Sequence, residues 1–310
     1  MSAIAVELGR SFSYNGHRLV FDLCGASDAP LVVYLHPLLL DSEINRGIAQ
    51  ALGAQGYRIA LLDLLGHGRS DKPTHASEYR IDSYADQVVG LLDELGADKA
   101  VLGGVSLGAN VSLFAASRYP ERTRALVLEM PVLERAVPAA AMVFVPMIIA
   151  THYGRPVMRF TSGLASRVPR SRSWPFNTLM NAASLPPDSV AAVLHGVLVG
   201  PVAPTDEQRR AILAPSFVLA HRNDVIHPFD DAVALVERLP NGVLVRAQSP
   251  LEMRLRPERL TGEMVRFLSG LDPPTRARSR RTQTARRTTQ PSGVKTRPAG
   301  KDASAASEGA

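Results

Sequence analysis

The stretch Val101-Leu102-Gly103-Gly104-Val105-Ser106-Leu107-Gly108 is the most informative part of this sequence. Its apolar beginning predicts a buried strand, and the residues that follow, Leu107-Gly108-Ala109-Asn110, predict the start of a helix. Ser106 therefore lies on a tight turn between a strand and a helix, in the pattern Gly-x-Ser-x-Gly. Glycine on both sides lets neighbouring backbone approach closely, so the hydroxyl projects above the sheet edge. The pattern predicts a nucleophilic serine.

Apolar runs on both sides of this stretch alternate with amphipathic segments, a pattern that predicts a parallel sheet with crossover helices. The first two strands, over 4–8 and 18–23, flank Asn15-Gly16 and are predicted to form a hairpin. Six further runs predict buried parallel strands, over 31–35, 57–62, 100–103, 125–129, 216–220 and 242–246. Helices are predicted over 42–55, 82–95, 107–118, 230–239 and 257–269.

A long insertion is predicted late in the chain. More than 80 residues separate the predicted strand ending near Glu129 from the one starting near Ser216, which is more than one crossover needs. We interpret residues 132–206 as an inserted helical lid. The segments 1–131 and 207–271 then form one core.

This insertion is both basic and apolar. From Arg135 to Pro187 it contains six Arg and no acidic residue, and it includes an apolar run of 15 residues over 136–150. That run contains Pro138 and Pro146 and is shorter than the roughly 18 residues of a spanning helix, so we predict no transmembrane segment. Proline and glycine are also expected to break any long amphipathic helix in the insertion. The lid would attract an apolar or anionic substrate or contact a membrane surface weakly, although a solvated rim over an ordinary pocket explains the same residues.

The chain's net charge of +6 comes from one segment of its 310 residues. Residues 271–310 hold nine Lys or Arg and three Asp or Glu, so the remaining residues have equal numbers of basic and acidic side chains. We predict that 272–310 is a disordered basic tail, because it has too few large apolar residues to form a core. A single cysteine, Cys24, and a start without a signal-peptide pattern favour a reducing cytoplasm.

Two further blocks, together with the serine motif, carry a family resemblance. Leu35-His36-Pro37-Leu38 follows the third predicted strand, and Asp63-Leu64-Leu65-Gly66-His67-Gly68-Arg69-Ser70-Asp71-Lys72-Pro73 follows the fourth. The chain resembles the α/β-hydrolases. The resemblance implies an α/β fold with a mostly parallel central sheet, helices on both faces and an inserted lid. It also implies an oxyanion hole formed by the backbone N–H groups of Leu38 and Leu107.

The acid of a catalytic triad is expected after a late strand. Asp224, in Leu219-Ala220-His221-Arg222-Asn223-Asp224, matches the position that the family uses. A carboxylate there would hold a histidine in one tautomer and stabilise its cation. Glu129, at the end of an earlier core strand, is the alternative acid, since some members place theirs there.

The general base is where the chain departs from the family pattern. The family has a histidine after the last strand, but residues 243–254 contain none. We take His227 as the substitute, three residues after Asp224, although a loop histidine beside Pro228 could instead have a purely structural role. The other histidines considered are weaker candidates or are expected to be structural: His36, His67, His152, His195 and His221.

These residues support one leading hypothesis, a serine hydrolase that needs no cofactor or metal and cleaves a small-molecule ester, lactone or similar acyl bond. The serine argues against the branches of the fold that open epoxides or remove halides, which use Asp. The missing late histidine supports a second hypothesis, a binding or scaffold protein that lost activity. Nucleic-acid binding through the tail is a third, which would not be obligatory. Substrate identity and oligomeric state stay open.

Overall fold

We describe residues 6–171, 173–222 and 224–271 from a computed structural model. Eight strands alternate with helices along the chain in the order that the apolar runs predict. Their bounds are β1 Val6–Tyr14, β2 His17–Cys24, β3 Leu31–Leu35, β4 Arg58–Asp63, β5 Ala100–Val105, β6 Thr123–Glu129, β7 Ser216–Ala220 and β8 Gly242–Arg246. The predicted tail, 272–310, lies outside the described residues.

Six of the described helices belong to the layers beside these strands, and the other five lie between β6 and β7. The six are α1 Arg46–Gly53, α2 Ile81–Glu94, α3 Leu107–Arg118, α9 Phe229–Arg238, α10 Glu252–Leu255 and α11 Glu258–Leu271. The helix predicted over 42–55 is a 3₁₀ turn, Ser42–Asn45, followed by α1.

The eight strands form one sheet in the order β1-β2-β4-β3-β5-β6-β7-β8. β1 pairs antiparallel with β2, and β2 pairs antiparallel with β4, while β3 to β8 pair in parallel. The β1–β2 turn contains Asn15 and Gly16, both with positive φ, as the hairpin prediction requires. β5, which leads to Ser106, lies between β3 and β6 near the centre. The functional edge is therefore formed by the carboxyl ends of adjacent parallel strands.

Apolar side chains cover both faces of the sheet, as an α/β fold requires. On one face, Val88 of α2, Leu113 of α3 and Leu235 of α9 belong to a single buried cluster. On the other, Leu52 of α1 and Met264 of α11 belong to a second cluster. The predicted fold class, an α/β fold with a mostly parallel sheet and helices on both faces, is confirmed. The prediction that every parallel strand is buried is wrong for β8, which is half-exposed because it is an edge strand.

Five helices lie between β6 and β7. They are α4 Val137–Tyr153, α5 Arg155–Arg167, α6 Trp174–Ala183, α7 Pro187–Val199 and α8 Asp206–Ala211. The expectation that proline breaks this region is wrong, because Pro138 occupies the first turn of α4, where no N–H partner is lost, and the helix continues through Pro146. With the preceding 3₁₀ turn, residues Glu134–Tyr153 form a 20-residue helix that is long and apolar enough to cross a membrane, by length and composition alone.

Two buried polar side chains fasten this insertion to the core. The carboxylate of Asp231, in α9, accepts hydrogen bonds from the backbone N–H groups of Leu133 and Ala136 at 3.1 Å each. Asn110, in α3, donates to the carbonyls of Val132 and Val202, which lie at opposite ends of the insertion. Both ends are thus held beside the helix that follows Ser106.

Candidate active site

Ser106 lies in the strained turn between β5 and α3. Its backbone has φ 52° and ψ −110°, a conformation that is rare for a residue with a side chain. The turn is held on both sides, because the N–H of Ser106 donates to the carbonyl of Glu129 and its carbonyl accepts from the N–H of Asn110. The hydroxyl consequently lies at the amino terminus of α3, where backbone N–H groups favour negative charge.

Gly108, two residues after Ser106, packs too closely against Leu35 to be replaced by a larger residue. A β-carbon on Gly108 would lie 2.6 Å from the carbonyl oxygen of Leu35, which is backbone and has little room to move. We expect Gly108→Ala to lower the free energy of unfolding by about 1–3 kcal/mol in urea titrations. Gly163→Ala is the matched control, since no atom lies within 4 Å of a β-carbon there, and it should be neutral or slightly stabilising. Equal stability of the two variants would contradict this account of the turn.

A second turn faces the serine from the end of β3. The N–H of Leu40 donates to the carbonyl of Pro37, and Leu39 has φ 60°, the pattern of a type II turn, in which glycine is usual. Leu38 and Leu107 both line the same cavity as Ser106. As the first residue of α3, Leu107 has an N–H group that the helix does not use.

His227 is the residue that joins the serine to a carboxylate. Its Nε2 lies 2.9 Å from the Oγ of Ser106, and its Nδ1 lies 2.8 Å from Oδ2 of Asp224. In this arrangement Nδ1–H donates to the carboxylate and Nε2 accepts from the hydroxyl. The structure therefore brings together the three side chains singled out in the sequence as nucleophile, base and acid.

The carboxylate of Asp224 is held by four donors. Oδ1 accepts from the backbone N–H groups of Ile226 and His227, and Oδ2 accepts from His221 at 3.0 Å as well as from His227. Partial burial acts to raise the pKa of Asp224, but the hydrogen bonds and charge of His227 outweigh it and hold that pKa well below its usual range. Asp224 is therefore ionised at any pH near neutrality.

An apolar cavity opens at Ser106. Its walls come from the core and from the lid helices α4 and α7, and only two of its lining residues are polar, Ser106 and Asn110. The others are Leu38, Ile81, Leu107, Val132, Val137, Ala140, Ala141, Phe144, Val197, Leu198, Val202 and Ile226. The amide of Asn110 is already engaged by the backbone at both lid ends. The cavity thus presents a hydrocarbon wall to whatever binds beside the serine.

His36 and His67 lie in the loops after β3 and β4 and support those loops. His36 accepts a hydrogen bond from the N–H of Leu64 and donates to the carbonyl of Pro37, while His67 bonds the carbonyl of Leu65. Their rings are 4.8 Å apart. Burial lowers the pKa of His36 and lowers the pKa of His67 to about 3, so both rings are neutral. This is the structural role that the sequence predicts for them.

The carboxylate of Glu129 has other partners. Its carboxylate, fully buried, accepts from the hydroxyl of Tyr34 at 2.8 Å and pairs with Arg254 at 2.9 Å. Among the described residues, none of its hydrogen bonds joins it to a histidine. The structure thus brings Asp224, and not the alternative acid, to His227.

The segment after β8, where the family has its histidine, forms a different contact here. The N–H of Gln248 donates to the carboxylate of Glu252, which also pairs with Arg259. His152 and His195, on α4 and α7, are not joined to Ser106 by any hydrogen bond among the described residues. In the described part of the chain, moreover, no group of three or more His, Cys, Asp or Glu has the arrangement of a metal site.

Three positioning roles were missed in the sequence. Asp231 and Asn110 anchor the lid, and His221, which was assigned a structural role, is a second donor to the carboxylate of Asp224. His221 has a local signal, because it lies three residues before Asp224. The partners of Asp231 lie more than 90 residues away, so no local pattern reveals them.

Sequence comparison finds relatives that align with about two fifths of the chain. Residues 30–151 match the sequence model of the family described as alpha/beta hydrolase fold. The chain is 43% identical over 122 residues to 2-hydroxymuconate semialdehyde hydrolase of Pseudomonas sp. strain CF600, covering 39% of this chain and 43% of that protein. It is 37% identical over 134 residues to epoxide hydrolase B of Mycobacterium tuberculosis H37Rv, covering 42% and 38%. The alignments thus span about two fifths of these relatives.

Structural comparison extends the likeness to nearly the whole described chain. The crystal structure of the enol-lactonase from Burkholderia xenovorans LB400 superposes with a TM-score of 0.68, at 20% identity, over 84% of this chain and all of that one. At that identity the likeness concerns the fold. Together with the family match over residues 30–151 and the strand order, it shows that the chain has the α/β-hydrolase fold.

Proposed function

We propose that this protein is a serine hydrolase that cleaves a carboxylic ester, lactone or similar acyl bond through an acyl-enzyme on Ser106. The observation that carries the proposal is the continuous chain of contacts from the hydroxyl of Ser106 through His227 to Asp224, at 2.9 and 2.8 Å. A serine is a weak nucleophile unless a base removes its proton, and this geometry supplies that base.

The proposed reaction proceeds in two steps. In the first, Oγ of Ser106 attacks the substrate carbonyl while its proton passes to Nε2 of His227, and the N–H groups of Leu38 and Leu107 stabilise the oxyanion. The tetrahedral intermediate collapses, and the leaving alkoxide takes the proton back from His227. In the second, His227 removes a proton from water, the hydroxide attacks the acyl-enzyme, and Ser106 leaves as the hydroxyl.

The substrate class follows from the cavity wall. A charged carboxylate in the cavity would need a cationic or donor side chain, but Asn110 is already engaged and the rest of the lining is apolar. We therefore propose an uncharged, apolar acyl or alcohol group beside Ser106. An anionic group, which the basic lid was expected to attract, would have to remain outside this cavity.

Two other functions have less support. The epoxide hydrolase among the relatives is similar over 42% of this chain, but the elbow here carries Ser106 and not the aspartate that forms the ester intermediate of that branch. The binding-protein hypothesis was motivated by the missing histidine after the last strand. His227 contacts the serine from another loop, so the missing histidine no longer argues for a binding protein.

A fluorophosphonate probe tests the nucleophile directly. The phosphorus is attacked by an activated serine with loss of fluoride, so wild type should gain one phosphonyl group, which peptide mass spectrometry should locate on Ser106. Ser106→Ala should not be labelled, and neither should be labelled after heat denaturation, because labelling depends on the folded contact with His227.

The same proteins are then assayed with p-nitrophenyl esters of two to ten acyl carbons. We expect turnover by wild type that increases with chain length until the cavity is filled, and none by Ser106→Ala. A folded wild-type protein that is neither labelled nor active on any ester would refute the hydrolase proposal and favour a binding function.

A further inference from the structure

The outer side of α4 is an unusual surface for a protein in water. Over the helical segment Glu134–Tyr153 the mean hydropathy is 1.6, yet only 17% of this apolar window is buried. Met142 is 79% exposed and Ile149 is 52% exposed. A surface helix normally carries polar residues on its outer face, and α4 carries no charged residue between Val137 and Tyr153.

The next helix carries a second exposed apolar stripe. On α5, the exposed apolar residues Val157, Phe160 and Leu164 recur at spacings of three and four, so they form one stripe. Arg155 and Arg159 project from the other side of α5 and pair with Asp188 of α7. The stripe therefore points away from the rest of the protein. We call the exposed apolar residues of the two helices the apolar lid face: Met142, Val145, Ile149, Val157, Phe160 and Leu164.

The surroundings of the apolar lid face are cationic. Residues 135–187 contain no acid. Arg167 and Arg170, at the end of α5 and beyond it, are exposed. This combination of apolar stripe and guanidinium rim is complementary to a membrane surface that contains anionic lipids.

The same charges disfavour the other way of covering an apolar face. A twofold dimer would bring this face against its own copy, and the two arginine rims would then oppose each other. A membrane-spanning α4 is disfavoured as well, because Asp231 holds its start and its inner residues Ala140 and Phe144 line the cavity. The helix can therefore lie along a membrane without leaving the fold.

We propose that the apolar lid face docks on the surface of an anionic phospholipid bilayer, with α4 and α5 lying in the interface. Val137 and Leu198, which line the cavity at Ser106, are also partly exposed. Docking therefore brings an apolar cavity close to the acyl region of the membrane. The proposal concerns binding alone and stands whether or not Ser106 is a nucleophile.

Vesicle sedimentation with the full-length protein tests the docking. We expect wild type to bind vesicles with 30% phosphatidylglycerol in phosphatidylcholine, and to bind pure phosphatidylcholine and high-salt samples much less. Met142→Asp/Phe160→Asp should lower the partition coefficient about tenfold or more, since both side chains would enter the apolar layer. Leu213→Asp, at a side chain that is 70% exposed outside the lid, is the matched control and should bind as wild type does.

The basic tail could also attract anionic vesicles, but the double variant retains it. Binding of Met142→Asp/Phe160→Asp at the wild-type level would therefore overturn the proposal. Light scattering without lipid tests the other occupant, a second copy of the chain. If wild type is a dimer and Met142→Asp/Phe160→Asp is a monomer, a second copy covers the apolar lid face and the proposal is overturned.

A fluorescence measurement locates the contact. Trp174 is the single tryptophan of the chain, so Phe160→Trp combined with Trp174→Phe puts one reporter on the apolar lid face. On binding anionic vesicles, its emission should shift to shorter wavelength and be quenched by brominated phosphatidylcholine. Bound protein with an unshifted, unquenched reporter would overturn the proposal. None of these readouts depends on hydrolysis, so their failure is distinguishable from failure of the proposed enzyme.

Discussion

Replacing His227 by Ala should reduce kcat for ester hydrolysis by about 10⁴-fold, with little change in KM. The imidazole is the only group of the described chain that is hydrogen-bonded to Oγ of Ser106, and it accepts that proton at a separation of 2.9 Å. Nucleophile and base act as a unit, so Ser106→Ala should have an effect of the same order. The measurement is steady-state hydrolysis of the preferred p-nitrophenyl ester.

His152→Gln is the matched control, because His152 lies on α4 against Tyr153 and should leave kcat unchanged. His221→Ala should have an intermediate effect, since it removes one donor to Asp224 but leaves His227 in contact with both partners. Retention of more than a tenth of wild-type kcat by His227→Ala would show that another group removes the proton.

The pH dependence of stability should report on Asp224, because its lowered pKa keeps the carboxylate charged in the folded protein well below neutral pH. Because this pKa is depressed by folding, the stability that the carboxylate contributes is complete above its unfolded pKa and is lost only as pH falls through the folded value. Urea titrations of wild type and Asp224→Asn at a series of acidic pH values measure this contribution: the stability difference between the two should be constant above the unfolded pKa of Asp224 and shrink as pH falls below it. A difference that does not change with pH would contradict the prediction.

Arg254→Met should lower the free energy of unfolding by about 3–5 kcal/mol. Arg254 is almost fully buried and pairs with the buried carboxylate of Glu129, to which Tyr34 also donates. Burial acts to lower the pKa of Arg254, but the charge of Glu129 outweighs it, and that pKa lies above its usual value. Removing the guanidinium leaves a buried, uncompensated charge. Urea titration at neutral pH measures the difference.

Arg266→Met is the control for burial, because it removes an exposed ion pair instead of a buried one. Arg266 pairs with Glu263 on the outer side of α11 and is mostly exposed, so its loss should change stability by less than about 1 kcal/mol. Combining Arg254→Met with Glu129→Leu should recover most of the loss, because both charges are then absent. Equal effects of Arg254→Met and Arg266→Met would show that the buried pair is not stabilised in this way.

Much of the fold could be predicted because its signals are local. The bounds of β3, β7 and β8 agree with the apolar runs, and α3 begins and ends where its pattern predicts. The elbow is recognisable because its glycines, its serine and the helix start are consecutive residues. The lid was less predictable, because α4 has no polar face to give a helical period and continues through Pro146.

The candidate site likewise has one part that the sequence could predict and another that it could not. Asp224 and His227 lie three residues apart in one loop, so the sequence could pair them, but it left open whether His227 reaches a serine 121 positions earlier. That contact depends on the order of β5, β6 and β7 in the sheet, which brings the ends of distant strands to one edge. The packing of a folded chain thus decides between a base and a loop histidine, because residues remote in sequence meet only when the sheet has formed.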